Sequence, residues 1–291
     1  MDEWMRYRNL DEAIGADVFK TGPVAVIMAE DATEIGSTLA HVRKLGFPSV
    51  LLLTHDEIAV APADEAPIHR VTHDVYAENA LPDAMNRLIA AALGVWFHYC
   101  FNSEYLFYPF CETRDVRELI AFHVEERRYA FLTYVVDLYA ADLDTHPDGV
   151  SLSDAHMDRA GYYALARPDM ANHGHPKDRQ LDLFGGIRWR FEEHVPPDRR
   201  RIDRVGLFLA KPGLRMRPDF TFNDEEYNTY ACPWHHNATT AVCSFRAAKA
   251  LRSNPGSRHE VRNFRWHYSV PFAWNSHQLM DLGLLEPGQW V

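Results

Sequence analysis

Residues 95–109 have the sequence VWFHYCFNSEYLFYP, in which a run of aromatic and apolar residues is followed directly by polar ones. The run covers residues 95–101, and its length and its aromatic and β-branched content are typical of a strand that is buried on both faces. Asn102, Ser103 and Glu104 follow it. In open α/β sheets, ligands bind beyond the carboxyl ends of the strands. We therefore expect a binding site at this polar cluster.

The chain before this run predicts a βαβ unit. Residues 24–28 (VAVIM) and residues 50–53 are short β-rich runs, and between them apolar residues recur at helical spacing until Gly46. Asp31 or Thr33 is expected to cap the intervening helix. A strand, a helix and a strand within about 30 residues favour a parallel sheet.

The same pattern continues up to the central strand. A loop rich in Pro and Ala at residues 59–67 leads to a third strand at residues 68–71, and a helix with one apolar face at residues 79–94 leads into the central strand. Four strands with intervening helices predict the α/β fold class, with a mostly parallel sheet flanked by helices.

The second half of the chain is less regular. We expect a helix at residues 116–124, strands at residues 129–139 and 204–209, and a helix at residues 239–251. Residues 142–197 are rich in His, Pro, Asp and Gly and predict a long loop-rich stretch. A long loop-rich stretch within a compact domain more often has a function than not.

Composition excludes several classes of protein. The chain has 291 residues, a formal net charge of −11 and four cysteines. This charge argues against sequence-independent nucleic-acid binding, which requires a basic face. No run approaches the roughly 18 apolar residues of a membrane span, and the first residues lack the basic start of a signal peptide. The cysteines show no C-x-x-C spacing, so we expect free thiols in a cytoplasmic protein.

The order of these elements resembles family 2-like glycosyltransferases of the GT-A fold, in particular a bacterial subgroup with a D-x-D-E-F-L motif. The family opens with a strand, a turn with acidic residues, a helix, and a second strand that ends in an acidic residue, and residues 24–56 resemble this order. The sequence FNSEYL at residues 101–106 stands where the family has its motif. Near the C-terminus the resemblance is carried by His235, His236, Asn237, Phe245 and Lys249.

The resemblance implies a GT-A-like organisation of the chain. Residues 1–140 would form the nucleotide-sugar-binding half. Residues 141–291 would form a loop-rich, acceptor-side half packed on the same sheet, within one domain.

The resemblance also implies how a nucleotide-sugar donor is held. Its nucleoside would contact carboxylates at the strand ends, and its diphosphate the polar cluster after the central strand. The nucleoside contacts are assigned to Glu30, Asp31 and Asp56, and the diphosphate contacts to Asn102, Ser103 and Glu104. The structural alternatives are a helix cap at Asp31, turns at Asp56 and at Asn102 and Ser103, and a solvated carboxylate at Glu104.

Two alignments of the motif lead to different expectations for a metal. Without gaps, Phe101 and Ser103 take the places of the family's two metal-binding aspartates, which removes the metal site. In an alignment shifted by one residue, Asn102 and Glu104 take those places, which leaves a weaker metal site. A divalent cation, Mn²⁺ or Mg²⁺, prefers hard oxygen ligands. Glu104 and His236 are the candidate metal ligands.

The remaining candidates concern the transfer step. His235 or His236 would contact the leaving diphosphate, the alternative being a buried structural histidine. A transferase of the inverting type that the resemblance implies needs a carboxylate to take the proton from the acceptor hydroxyl. Asp137 and Asp182 are the candidates, and the glycine pair that follows Asp182 at residues 185–186 is expected to let a substrate approach the backbone.

These features predict a glycosyltransferase of hexosyltransferase type, acting on a nucleotide-sugar donor and a glycan or other hydroxyl acceptor in polysaccharide biosynthesis. Two alternatives stay open. One is a catalytically inactive GT-A-like domain that serves as a binding or scaffolding protein. The other is a metal-dependent hydrolase built on the sixteen histidines.

Overall fold

The structure, a computed structural model, describes residues 4–19, 22–60 and 68–290. Most of the predicted loop at residues 59–67 lies outside these ranges. The strands in the described residues are β1 (Trp4–Tyr7), β2 (Val24–Ala29), β3 (Ser49–Thr54), β4 (Ile68–Thr72), β5 (Trp96–Phe101), β6 (Glu104–Phe107), β7 (Ala130–Ala140), β8 (Ala155–Asp158), β9 (Tyr163–Asp169), β10 (His175–Phe184), β11 (Asp203–Leu209), β12 (Thr240–Ser244) and β13 (Ser269–Pro271). The α-helices are α1 (Leu10–Gly15), α2 (Ile35–Lys44), α3 (Ala80–Ala91), α4 (Val116–Glu125), α5 (Gly186–Arg190), α6 (Arg246–Ser253) and α7 (Ser276–Asp281).

The chain divides into two compact units, each made of several segments. The first unit consists of Met1–Leu106, Thr113–Leu132 and Val205–Asn228, and the second unit of Phe107–Glu112, Thr133–Arg204 and Thr229–Val291. This division differs from the predicted one at residue 140, because the first unit includes a segment from beyond residue 200. No helix in the described ranges is long and apolar enough to cross a membrane.

The first unit is built on a mostly parallel sheet. Its strands lie in the order β1-β4-β3-β2-β5-β11. The first five pair in parallel, and β11 pairs with β5 in the antiparallel direction. Every residue of β2, β3 and β5 is buried, as the uninterrupted apolar runs predicted. The predicted α/β class, with a mostly parallel sheet flanked by helices, is confirmed.

Helices α2 and α3 connect parallel strands of this sheet and bury one apolar face each. The buried face of α3 includes Leu81, Met85 and Leu88, and burial of one such side chain contributes about 1.5–3 kcal/mol to stability. The predicted cap of α2 is wrong. Its N-cap is Glu34, which has a left-handed backbone (φ 56°) and makes no side-chain cap bond, whereas Asp31 Oδ1 accepts a hydrogen bond from Thr33 N in the preceding turn.

The second unit has its own strands and its own core. In this unit β12 pairs in parallel with β7, from Thr240 opposite Thr133 to Ser244 opposite Asp137. Strand β8 pairs antiparallel with β7 and with β13, and β9 and β10 form a separate antiparallel pair. The buried cluster of this unit contains Tyr139, Leu143, Ile187, Ala248, Leu251, Val261 and Phe264.

Two predictions for the second unit are wrong. The helix predicted over residues 239–251 is a strand, β12, followed by the shorter helix α6. The apolar spacing in this segment fits a helix, but residues 240–244 are buried on both faces beside β7, and that packing decides the conformation. The loop predicted over residues 142–197 contains β8, β9, β10 and α5. Strand β9 is mostly exposed, so it lacks the alternating pattern that identifies a half-buried strand.

Candidate functional site

Polar residues gather at the carboxyl edge of the parallel sheet in the first unit. Glu30 and Asp31 follow β2, Asp56 lies shortly after β3, and Asn102 follows β5 directly. Because these strands are parallel and adjacent, their carboxyl ends lie along the same edge. The structure thus brings together the residues that the sequence predicts for the nucleoside and the first residue of the polar cluster.

Asn102 joins the end of β5 to the loop after β2. Its side-chain Oδ1 accepts a hydrogen bond from Glu30 N at 3.0 Å, and its Nδ2 donates to Asp31 Oδ1 at 2.7 Å and to the Thr33 carbonyl oxygen at 2.8 Å. Its backbone N–H donates to the Met28 carbonyl oxygen at 3.2 Å. The side chain is fully buried. Asn102 therefore fixes the position of Asp31.

Asn102 and Ser103 form the turn between β5 and β6, and Glu104 is the first residue of β6. Ser103 and Glu104 are both buried. Ser103 has a positive φ of 63°, and its Oγ donates to the Thr33 carbonyl oxygen at 2.9 Å. Its N–H donates to Thr38 Oγ1 at 3.0 Å. Glu104 Oε2 accepts a hydrogen bond from Phe101 N at 2.9 Å. The hydrogen bonds of these residues lie within the protein, where they hold the turn.

The residues of the two motif alignments do not fit a divalent cation that also contacts a substrate. Asn102 Oδ1 is bound to a backbone N–H, and the Glu104 carboxylate is buried and bound to the N–H of Phe101. A cation requires oxygen ligands that face it. The other candidate ligand, His236, is exposed. No group of three or more His, Cys, Asp or Glu residues suited to a metal occurs among the described residues.

Tyr76 lies at the same edge of the parallel sheet and was not predicted from the sequence as part of the site. It follows β4 by four positions, the residue is 69% exposed, and its hydroxyl donates to the Glu30 carbonyl oxygen. Asp74 Oδ1 accepts a hydrogen bond from Tyr76 N at 3.1 Å, which fixes the turn that carries the ring. The signal in the sequence that identifies Tyr76 is its position just beyond the carboxyl end of a strand.

Asp56 is exposed and positioned by its neighbours. Its Oδ1 accepts a hydrogen bond from Thr72 Oγ1 at 2.6 Å, which joins the ends of β3 and β4. The guanidinium of Arg70 donates to the Ile58 carbonyl oxygen at 3.0 Å in the loop after β3. With Glu30 and Asp31, this edge presents several hydrogen-bond acceptors of negative charge. Such groups suit a ligand that donates hydrogen bonds, such as a ribose or a base N–H.

The two predicted bases lie in the second unit and differ in exposure. The Asp137 side chain is 0% exposed, and it accepts hydrogen bonds from Arg188 Nε at 3.0 Å and Arg188 N at 3.3 Å. Burial raises the pKa of Asp137, and the Arg188 guanidinium opposes this rise. The Asp182 side chain is 17% exposed and pairs with Arg167 Nε at 2.7 Å. Of the two carboxylates, only Asp182 reaches the surface.

The glycine pair after Asp182 makes room for side chains of the protein itself. Gly185 has φ 154°, and a Cβ there would lie 2.3 Å from the Tyr162 ring. Gly186 has φ 64°, and a Cβ there would lie 2.9 Å from Asp137 Oδ2. The close approach that we predicted for a substrate is made by Tyr162 and Asp137.

His235 and His236 differ in their surroundings within the second unit. His235 is half-buried, and its Nδ1 lies 3.2 Å from Cys232 Sγ. His236 is exposed, and its ring centroid lies 5.8 Å from that of Tyr230, edge to face. The two rings therefore meet different partners, as expected for adjacent residues.

The chain matches no protein-family model and no curated protein. Among solved structures it is similar to TarS from S. aureus, with 13% identity and a TM-score of 0.26 over 39% of this chain and 35% of the TarS chain. It is also similar to a UDP-glucose pyrophosphorylase from Acinetobacter baumanii, with 10% identity and a TM-score of 0.34 over 83% of this chain and 98% of that chain. The chain thus spans about a third of the TarS chain, and similarities of this size assign no activity.

Proposed function

We propose that the protein is a glycosyltransferase that takes a sugar from a nucleoside-diphosphate sugar and transfers it to a hydroxyl acceptor of a glycan. The observation that carries the proposal is the carboxyl edge of the parallel sheet in the first unit. There Glu30, Asp31 and Asp56 lie with the exposed ring of Tyr76.

These side chains suit the nucleoside of such a donor. Carboxylates accept hydrogen bonds from ribose hydroxyls and from the N–H groups of a base, and an exposed aromatic ring packs against the face of a base. Asp31 is held by Asn102 Nδ2 and by Thr33 N, so its carboxylate is positioned before a ligand arrives. Positioning of this kind lowers the entropy cost of binding.

The transfer step in this proposal uses a carboxylate as its base. A sugar hydroxyl is a poor nucleophile at neutral pH, so a base must take its proton as the bond to the anomeric carbon forms. We assign this role to Asp182 rather than Asp137, because Asp182 reaches the surface whereas Asp137 is fully buried against Arg188. No step of the proposal depends on a divalent cation.

Thermal unfolding in the presence of nucleoside diphosphates and nucleotide-sugars tests donor binding, with and without Mn²⁺ or Mg²⁺. A ligand at about 100 times its Kd stabilises a protein by about 2.7 kcal/mol, which raises Tm by a few degrees. We expect one nucleotide to stabilise the protein selectively and without a cation. Asp31→Asn and Asp56→Asn are each expected to weaken its binding about 10- to 100-fold, since a hydrogen bond to a charged group contributes about 1.5–3 kcal/mol.

A surface carboxylate provides the control. Asp198 is exposed beside Arg199. Asp198→Asn therefore removes one negative charge from a described residue that makes no hydrogen bond with Glu30, Asp31 or Asp56. We expect its affinity for the nucleotide to equal that of the wild type. Equal affinities for Asp31→Asn, Asp56→Asn and the wild type would exclude this edge as the donor site.

A binding protein without catalysis is the second candidate function. It is favoured by one observation: Asn102 and Glu104, which stand at the family's metal-binding positions in one alignment, are buried and bonded within the protein. A turnover assay with the stabilising nucleotide-sugar separates the two functions. Release of the nucleoside diphosphate that falls in Asp182→Asn, at unchanged donor affinity, supports the transferase. Donor binding with no turnover on any acceptor supports the binding protein.

A further inference from the structure

A cysteine and a histidine meet in the segment 231–237 of the second unit, and the proposed function uses neither of them. Cys232 Sγ lies 3.2 Å from His235 Nδ1 and 3.7 Å from His235 Nε2, and also 3.5 Å from the His235 carbonyl oxygen. Both residues are half-buried. A neutral imidazole nitrogen at this distance is placed to accept the proton of a thiol, and a thiolate is the nucleophilic form of cysteine.

A buried amide lies beside the same thiol-bearing residue. Asn237 is 7% exposed, and its Oδ1 accepts a hydrogen bond from Cys232 N at 3.1 Å. Its Nδ2 is buried and has no hydrogen-bond partner among the described residues. Because Oδ1 is fixed on the Cys232 backbone, Nδ2 of the same amide is also held next to Cys232. An unused buried donor is costly unless a bound group accepts its hydrogen bond.

Cys232 is followed in the chain by exposed residues. Pro233 and Trp234 follow it, and both are exposed, Trp234 to 87%. The segment thus contains a half-buried cysteine in contact with a histidine, and the two residues that follow the cysteine are exposed to solvent.

The other cysteine of the second unit with partial exposure has the opposite environment. Cys111 is also half-buried, but its Sγ lies 3.5 Å from Glu112 Oε1. Burial, together with the carboxylate of Glu112, raises the pKa of Cys111 to about 12. A carboxylate disfavours a neighbouring thiolate, whereas an imidazole that takes the proton favours it. Cys100 and Cys243 are fully buried.

We propose that Cys232 is a redox-modification site, whose thiol is activated by His235 and reacts with hydroperoxides. The imidazole takes the thiol proton, and the thiolate attacks the terminal oxygen of R–O–OH. The S–O bond forms as the O–O bond breaks, which gives a cysteine sulfenic acid and an alkoxide. The alkoxide takes the proton from the imidazolium and leaves as the alcohol, or as water when the oxidant is hydrogen peroxide.

Peptide mapping of the folded protein tests this proposal. The protein is treated with hydrogen peroxide and dimedone, and separately with iodoacetamide, at pH 7. We expect Cys232 to be modified by both treatments at least about tenfold faster than Cys111. Equal rates at the two cysteines, or faster modification of Cys111, would overturn the proposal. After unfolding in denaturant all four cysteines should react alike, which confirms that the difference comes from the fold.

Two variants separate the role of His235 from a change in the fold. His235→Ala is expected to slow modification of Cys232 about tenfold, and free imidazole in solution is expected to restore part of the rate. His236→Ala removes the adjacent histidine, which does not contact the thiol, and should leave the rate unchanged. A His235→Ala rate equal to that of the wild type, or a loss that imidazole does not restore, would exclude activation by His235.

Discussion

Asn102 shows how much of a site depends on one amide. Its side chain is the partner of Glu30, Asp31 and Thr33 at once, and an asparagine provides the donor and the acceptor that these contacts require. A carboxylate at this position would have no N–H to donate to Asp31. An asparagine at this position is therefore the residue type that this loop needs for its own hydrogen bonds.

This requirement makes Asn102→Asp destabilising. The substitution removes two donated hydrogen bonds and places a carboxylate against Asp31, so we expect the free energy of unfolding at pH 7 to fall by about 1–3 kcal/mol. Denaturant unfolding measures it. Asn86→Asp is the matched control. The Asn86 side chain donates to the Met216 carbonyl oxygen and accepts from Met216 N, and neither of these partners is a carboxylate. A loss in Asn102→Asp no larger than that in Asn86→Asp would contradict the repulsion from Asp31.

Helices of the first unit begin in different ways. Helix α4 has a capping box, in which Asp115 Oδ1 accepts hydrogen bonds from Arg117 N at 2.8 Å and Glu118 N at 3.0 Å, and the Glu118 side chain accepts from Asp115 N. Helix α2 has no side-chain cap. The first four N–H groups of a helix lack partners within it, so a cap of this kind stabilises its start.

The cap of α4 leads to a prediction at the scale of the element. Asp115→Ala leaves the two N–H groups without their side-chain acceptor, and we expect it to reduce the free energy of unfolding by about 0.5–2 kcal/mol. Asp115→Asn keeps an acceptor oxygen at the same position and should retain most of the stability. Urea unfolding of the two variants measures the loss of unfolding free energy in each. A similar loss in both would show that the charge of Asp115, and not its capping bonds, is responsible.

Buried histidines couple the stability of the first unit to pH. His123 is fully buried, with its Nε2 3.0 Å from the Ala130 carbonyl oxygen and its ring stacked on Phe131. Burial lowers the pKa of His123 to about 3. In the unfolded chain a histidine takes a proton near pH 6.5. Between these values only the unfolded chain binds the proton, so stability is complete above about pH 6.5 and decreases as the pH falls towards 3.

The slope of stability against pH measures this effect. One histidine of this kind contributes up to about 1.4 kcal/mol per pH unit below pH 6.5. His123→Gln removes the titrating group, so we expect a smaller loss of unfolding free energy between pH 6.5 and pH 4 than in the wild type, even though the variant is less stable at pH 7. His175→Gln, at an exposed position on β10, should keep the wild-type slope. Parallel pH profiles for wild type and His123→Gln would contradict the assignment.

The sequence by itself determined the α/β class and most of the elements of the first unit. Strands β2, β3 and β5 are visible as continuous apolar runs, because a strand buried on both faces needs no partner to be recognised. Helix α4 and strands β7 and β11 were predicted to within one residue at each end. The sequence also placed Glu30, Asp31, Asp56 and Asn102 at one edge, since strand ends in a parallel sheet share it.

Only the tertiary structure decided what those side chains do. The hydrogen bond from Asn102 to Asp31 joins residues 71 positions apart, and no local pattern specifies such a partner. The same holds for β12, whose apolar spacing fits a helix until packing beside β7 selects a strand. Local periodicity reports burial along one segment of chain, whereas hydrogen-bond partners and strand pairing depend on which distant segments the fold brings together.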